Sequence, residues 1–306
     1  MTGGNEQRNR VTRGAVLVFL SGICWAPVAV LGKICVEAGV DVVILNVIRL
    51  VMGVAFLSVV ALVRYRSGRR LPLSAKALSF FFGASVFALG GSLFFLALRY
   101  IDASLAFVVI YSYPAAVVIV SAVLGWEKIT LKKSLAVMMT FAGVTLVLRI
   151  AYGIAGSLLI GVSLTLCTML IYSIYVVICD KYLVNHSSTL VSFYSILGGA
   201  VAMLAVLLFT GIRLEAIEQA PHLLLLVAVT AIGSALSLIF FLLGIRQIGA
   251  SWAAIISSVQ PVLVMLLAWV VLGEVMVWSQ LVGIAMLISG VAFVKWEKAP
   301  LAEPGP

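Results

Sequence analysis

The sequence predicts an all-α membrane protein: ten transmembrane helices in two inverted five-helix repeats. Three observations lead there. The 306 residues are 64% hydrophobic and only 10% charged, where soluble domains carry about 25% charged residues. The apolar residues fall into runs long enough to cross a bilayer, separated by short polar or basic stretches. The back part of each half repeats the other at one fixed offset.

A crossing helix needs about 20 mostly apolar residues. The first run, 14–36, follows a polar tail, MTGGNEQRNRVTR (1–13), and contains Trp25 in CWAPVAVLGK. It is too long for a signal-peptide core and no small-residue cleavage site follows, so we expect it to be retained. The second, 42–63, carries Arg49, the one charge well inside a span, and stops at the basic stretch RYRSGRR. The third, 76–98, holds Gly83, Gly90 and Gly91, which read as close helix contacts. The fourth, 103–125, contains IYSYPAAVVIV, with Pro114 at mid-span; the fifth, 132–150, follows EKITLKK. The second half supplies 155–178, 188–210 (with Gly198-Gly199), 222–244, 250–272 (with Pro261) and 279–296, and the chain closes with a polar, Pro-containing tail at 297–306. The expected repeats are 14–150 and 151–296, with both tails cytoplasmic.

Charge gives the orientation. With the N-terminus inside, fifteen basic residues fall on the cytoplasmic side against four outside (Lys33, Arg99, Arg149, Arg213). The positive-inside rule then places both termini in the cytoplasm, which requires an even number of spans. The net charge of +9 is explained by that basic face, without a nucleic-acid partner. Cys24, Cys35, Cys167 and Cys179 all lie in apolar runs with no CxxC pair, and read as small core residues. No metal site or cofactor is expected.

The repeat is clearest from Arg99 and Arg246 onward. RYIDASLAFVVIYSYPAAVVIVSAVLGWEKI and RQIGASWAAIISSVQPVLVMLLAWVVLGEVM align without a gap. Ser104 matches Ser251, Pro114 matches Pro261, Glu127 matches Glu274 and Gly143 matches Gly290, each pair 147 residues apart. More weakly, WAPVAVLGK near 25 lies opposite YSIYVVICDK near 172. Five spans per half is odd, so the second half enters the membrane upside down. Such halves can exchange roles, giving two states of nearly equal energy.

Each matched proline removes a backbone hydrogen bond and bends its helix. In lipid the freed carbonyl needs another partner. Tyr111, Ser112 and Tyr113 stand beside Pro114; Ser257, Ser258 and Gln260 stand beside Pro261. A symmetric proline pair flanked by polar groups predicts a midplane substrate cavity lined by both kinked helices. Candidate lining residues are Trp25, Tyr111, Tyr113, Tyr172, Tyr175, Ser257 and Gln260. Tyr172 and Tyr175 are three apart and share a helix face. Arg49 has two readings: a bidentate clamp for a substrate carboxylate, or a structural arginine bonded to helix-end carbonyls or Asp41. Ser234, Ser237, Thr165 and Thr168 read as helix-packing hydroxyls. No acid falls at mid-span, which argues against a carboxylate proton relay. Glu127 and Glu274, at helix ends, are candidate gate charges.

The segment LGEVMVWSQLVGIAMLISGVAFV (272–294), with Gly273-Glu274 and then Gln280, Gly283 and Gly290, resembles the closing signature of EamA-like transporters of the drug/metabolite transporter superfamily. CWAPVAVLGK and NVIRLVMG resemble the first two helices of that family. The first half departs at Trp126, where the pattern has glycine. The resemblance implies alternating access by a secondary transporter. The two repeats already supply both halves of a pathway, so a monomer is sufficient, and a prokaryotic inner membrane is expected. The resemblance also implies a small-molecule solute, an amino acid or related metabolite, exported or exchanged. A cavity of tyrosines and serines suits aromatic or other apolar amino acids; a cationic drug held by cation–π contact or a non-transporting scaffold are the alternatives. No HExxH, GxSxG, Walker lysine or pair of buried acids appears, so no enzyme is expected.

Overall fold

The structure, a computed structural model, describes residues 2–64, 71–126, 156–210, 221–257 and 260–275, with scattered positions at 131–138, 218 and 278–289. All regular structure among the described residues is helical: α1 (Thr2–Glu37), α2 (Val42–Arg64), α3 (Leu73–Ala97), α4 (Ala103–Ile110), α5 (Tyr113–Val123), α6 (Gly156–Leu183), α7 (Ser188–Thr210), α8 (His222–Ser257) and α9 (Gln260–Leu272). Seven stretches among the described residues are long and apolar enough to cross a membrane, counting α4 and α5 together over Ala103–Val123. The expected fifth and tenth spans, 132–150 and 279–296, lie outside the residues described as continuous helix, so the count of ten is left unconfirmed.

The helices pack across the two halves of the chain in reciprocal fashion. α1 runs along α8, and α6 runs along α3; α2 lies against α7; α9 meets α1 as α4 and α5 meet α6. Large apolar side chains such as Leu62, Phe81, Leu208, Phe209 and Val270 point outward. In a bundle of spanning length that surface faces lipid.

Three local features shape the centre. α4 ends at Ile110 and α5 begins at Tyr113, with Pro114 in its first turn. The proline therefore restarts a helix rather than bending one, a position where its missing N–H costs nothing. The Ser112 hydroxyl donates to the Val109 carbonyl at 2.7 Å, which also accepts the Ser112 N–H at 3.1 Å, so the end of α4 closes on itself. Pro261 occupies the same place at the start of α9. A π-helical turn, Ala84–Gly90, interrupts α3; such turns displace side chains from the regular face. α8 runs helically to Gly249, whose φ of 78° makes the turn, so the connection expected over 245–249 is helical almost to its end.

Two contacts bring backbones together without intervening side chains. A Cβ on Gly198 would lie 2.0 Å from the Phe80 carbonyl oxygen, and one on Gly83 would lie 2.2 Å from the Ser195 backbone. α3 and α7 thus cross at glycine, as the sequence suggested for both positions.

Candidate functional site

A hollow lies at mid-bundle, with about 90 Å³ of free space; one water needs about 10–15 Å³ on the same measure. Its walls come from α1 (Ser21, Trp25, Val28), α2 (Arg49), α3, the α4–α5 break (Ile110, Tyr111, Tyr113), α6 (Thr168, Tyr172), α8 (Ser234, Ser237, Leu238, Phe241, Ser257) and Gln260 of α9. α3 presents Val86, Phe87, Gly90, Gly91, Phe94 and Phe95, an apolar wall that begins within its π-helical turn.

The polar groups lining the hollow pair across the two halves of the chain. The Tyr111 hydroxyl donates to Gln260 Oε1. The Tyr113 hydroxyl and Ser257 Oγ are 2.6 Å apart, and Ser21 and Ser237 hydroxyls 2.9 Å. Tyr111, Tyr113 and Tyr172 form an edge-to-face chain, with ring centroids 5.7 and 5.2 Å apart. Gln260 lies directly over Gly22, where a Cβ would meet its Cγ at 2.5 Å.

Arg49 is only 2% exposed. Its Nη1 donates to Ser234 Oγ at 2.9 Å, and Nη2 and Nε to Asn46 Oδ1 at 2.7 and 3.2 Å. Its guanidinium stands 5.2 Å from the Phe95 ring centroid. Gly91 leaves room for it, since a Cβ there would meet Nη2 at 3.0 Å. Among the described residues no carboxylate pairs with Arg49; its partners are neutral. The alternative bond to Asp41 does not form: Asp41 Oδ1 caps α2, accepting from the Val43 and Ile44 N–H groups at 2.8 and 3.4 Å.

The sequence-predicted residues therefore divide. Trp25, Arg49, Tyr111, Tyr113, Tyr172, Ser257 and Gln260 are brought together around the hollow. Tyr175 is not among its walls: it is 1% exposed, its hydroxyl pairs with Ser195 at 3.1 Å, and its ring packs on Phe87. Pro114 and Pro261 start the helices that carry the lining residues. Ser234, Ser237 and Thr168, read as packing hydroxyls, face the hollow, while Thr165 is the packing residue expected, bonded back to Gly161. Ser21 and the Asn46 that orients Arg49 went unread.

Glu274 does more than sit at a helix end. Its carboxylate caps α4 from the other half of the chain, accepting from the N–H groups of Ala103 at 2.9 Å and Ser104 at 3.1 Å, and from the Ser104 hydroxyl at 2.5 Å. Those N–H groups belong to a helix start that lacks a side-chain cap of its own. Lys33, 6% exposed, donates to Glu274 and Asp102, both at 3.1 Å. This network joins α1, the start of α4 and the end of α9, closing one end of the bundle. Lys33 is five residues beyond Val28, about 7.5 Å along the helix. At the opposite end Lys181 stands 5.6 Å over the Trp126 ring, which meets Tyr182 edge to face; Glu127 lies outside the described residues.

Comparison with known proteins supports one assignment. The chain is 24% identical over 291 residues to an uncharacterized transporter of Archaeoglobus fulgidus, covering 93% of this chain and 97% of that one. It is also 24% identical over 290 residues to an uncharacterized transporter of Clostridium kluyveri, covering 91% of each. A protein solved by crystallography shares the fold, with a TM-score of 0.65 at 18% identity over 93% of this chain and 97% of that one. The EamA-like transporter family matches residues 12–149 and again residues 159–296. Two matches to one family, together spanning most of the sequence, make this multi-pass membrane protein a member of the EamA-like transporter family.

Proposed function

We propose that the protein is an alternating-access secondary transporter of small metabolites and that the central hollow is its substrate site. The observation that carries this reading is the set of polar pairs in the hollow. Tyr111–Gln260, Tyr113–Ser257, Ser21–Ser237 and Arg49–Ser234 each join the first half of the chain to the second. Motion of one half against the other must break and remake them, and a bound solute supplies replacement partners. The Lys33–Glu274 network closes one end in this state. The family resemblance favours an amino acid or related metabolite with an apolar or aromatic body, exported or exchanged, and the apolar α3 wall suits such a body. The multidrug reading for cationic compounds meets an unneutralised Arg49 in the same hollow, which repels a cation.

The reading includes both termini in the cytoplasm of a prokaryotic cell and a monomer as the working unit, because the two halves already supply both sides of the path. Thiol labelling tests it without a known solute. In a chain whose four cysteines are replaced by alanine, Ser21→Cys should react with membrane-impermeant reagents from either side of the membrane. Reaction from one side only, or from neither, contradicts alternating access through this hollow.

A further inference from the structure

The charge balance of the hollow goes further than its shape. Arg49 is buried, is held by neutral partners alone among the described residues, and lines the free space. Lys33, the other buried cation, has Glu274 and Asp102 against it. A buried charge without a counter-ion is costly, so the hollow favours an anion. No Asp or Glu lines it among the described residues.

The hydrogen-bonding inventory has the same bias. Arg49 carries five N–H donors, and three bonds engage it within the protein. Two donors are left, one on Nη1 and one on Nη2, for an incoming acceptor such as a carboxylate. Among the described residues the Trp25 indole N–H and the Tyr172 hydroxyl have no hydrogen-bond partner, and both residues line the hollow. Several of the hydroxyl and amide oxygens are engaged in the cross-half pairs already described. The charged part of the free capacity consists of donors on Arg49. An ammonium group entering this space finds neutral oxygens and aromatic faces, and no carboxylate among the described residues.

We propose that the hollow selects monocarboxylates with an apolar body, carrying a net charge of minus one, over zwitterionic amino acids and over cations. The carboxylate binds Arg49, and the hydrocarbon or aryl body lies against Phe94, Phe95 and Phe87 of α3. The proposal rests on the reading of the hollow as the translocation site and narrows the solute class within it.

Three probes share one phenylethyl skeleton and differ in the charged groups it carries: hydrocinnamate (a carboxylate), L-phenylalanine (a carboxylate and an ammonium) and phenethylamine (an ammonium). Titration calorimetry on the purified full chain at neutral pH should show hydrocinnamate binding tighter than phenylalanine by about tenfold or more, and no saturable binding of phenethylamine. Arg49→Gln should abolish the preference, and Arg49→Lys should keep part of it. Should Arg49→Gln fail to fold, the wild-type series decides alone. Phenylalanine or phenethylamine binding as tightly as hydrocinnamate overturns the proposal, as does the absence of binding by all three. The Ser21→Cys labelling separates the two levels: two-sided labelling with a failed charge series leaves the transporter reading standing, whereas one-sided labelling removes that reading itself.

Discussion

Tyr172 and Tyr175 show how much a single side chain's direction decides. Three residues along an α-helix turn through 300°, leaving about 60° between them. That is enough to put Tyr172 in the hollow and Tyr175 in the seam against Phe87 and Ser195. We predict that Tyr175→Phe lowers stability by about 1 kcal/mol, the worth of one buried hydrogen bond, read as a lower unfolding temperature with solute affinity intact. Tyr172→Phe should do the reverse, weakening solute binding at constant unfolding temperature. The lining residues legible in the sequence were those whose polar tips are conspicuous in an apolar run: Tyr111, Tyr113, Gln260 and Arg49. Ser234, read as a packing hydroxyl, packs and lines the hollow at once, because a membrane-helix hydroxyl bonds back to its own helix whichever way it faces. Its Oγ donates to the Thr230 carbonyl at 2.7 Å while also accepting from Arg49.

Among the elements, the spans announced themselves by apolar length, and the repeated fourth helix by its matched prolines. The depth of the breaks did not. A proline bends or restarts a helix according to how the flanking backbone groups are met, and here α4 closes with the Ser112 N–H on the Val109 carbonyl while α5 starts with the Ala115 N–H on the Ser112 carbonyl. The π-helical turn in α3 left no mark in ASVFALG, because one extra residue in a turn changes no side-chain pattern over so short a length. The glycines were legible as close contacts, and their geometry gives a sharp expectation. Gly198→Ala forces a methyl into the Phe80 carbonyl, and relief requires the α3 and α7 backbones to separate. The cost should be about 3 kcal/mol, at the upper end for overpacking, seen as a large drop in unfolding temperature. Gly90→Ala meets its nearest atoms at 3.7 Å and should leave that temperature unchanged.

At the scale of the whole molecule, the Lys33–Glu274–Asp102 network binds three helix ends from both halves. Sequence separation hid the pairing: Lys33 and Glu274 are 241 residues apart, Glu274 read as a candidate gate charge on its own and Lys33 only as a basic residue on the outer side. Glu274→Gln retains an acceptor for the α4 N–H groups but leaves Lys33 with Asp102 as its main anion. We predict that this variant, and Lys33→Met, open that end of the bundle. In the cysteine-free chain Val28→Cys should then label about tenfold faster from the Glu274 side, the effect of roughly 1.4 kcal/mol on the equilibrium. An unchanged rate would show that the network caps α4 without controlling access.

Arg49 also has a kinetic consequence. On the proposed reading a monocarboxylate neutralises Arg49, and the unloaded core keeps an uncompensated guanidinium while the two halves rearrange about it. A unit charge moved through 100 mV changes energy by about 2.3 kcal/mol, so whatever part of the field Arg49 traverses makes the unloaded return the slower, voltage-sensitive leg. Radiolabelled solute entering vesicles should therefore be accelerated several-fold by unlabelled solute placed on the opposite side, and that trans-stimulation should vanish in Arg49→Gln.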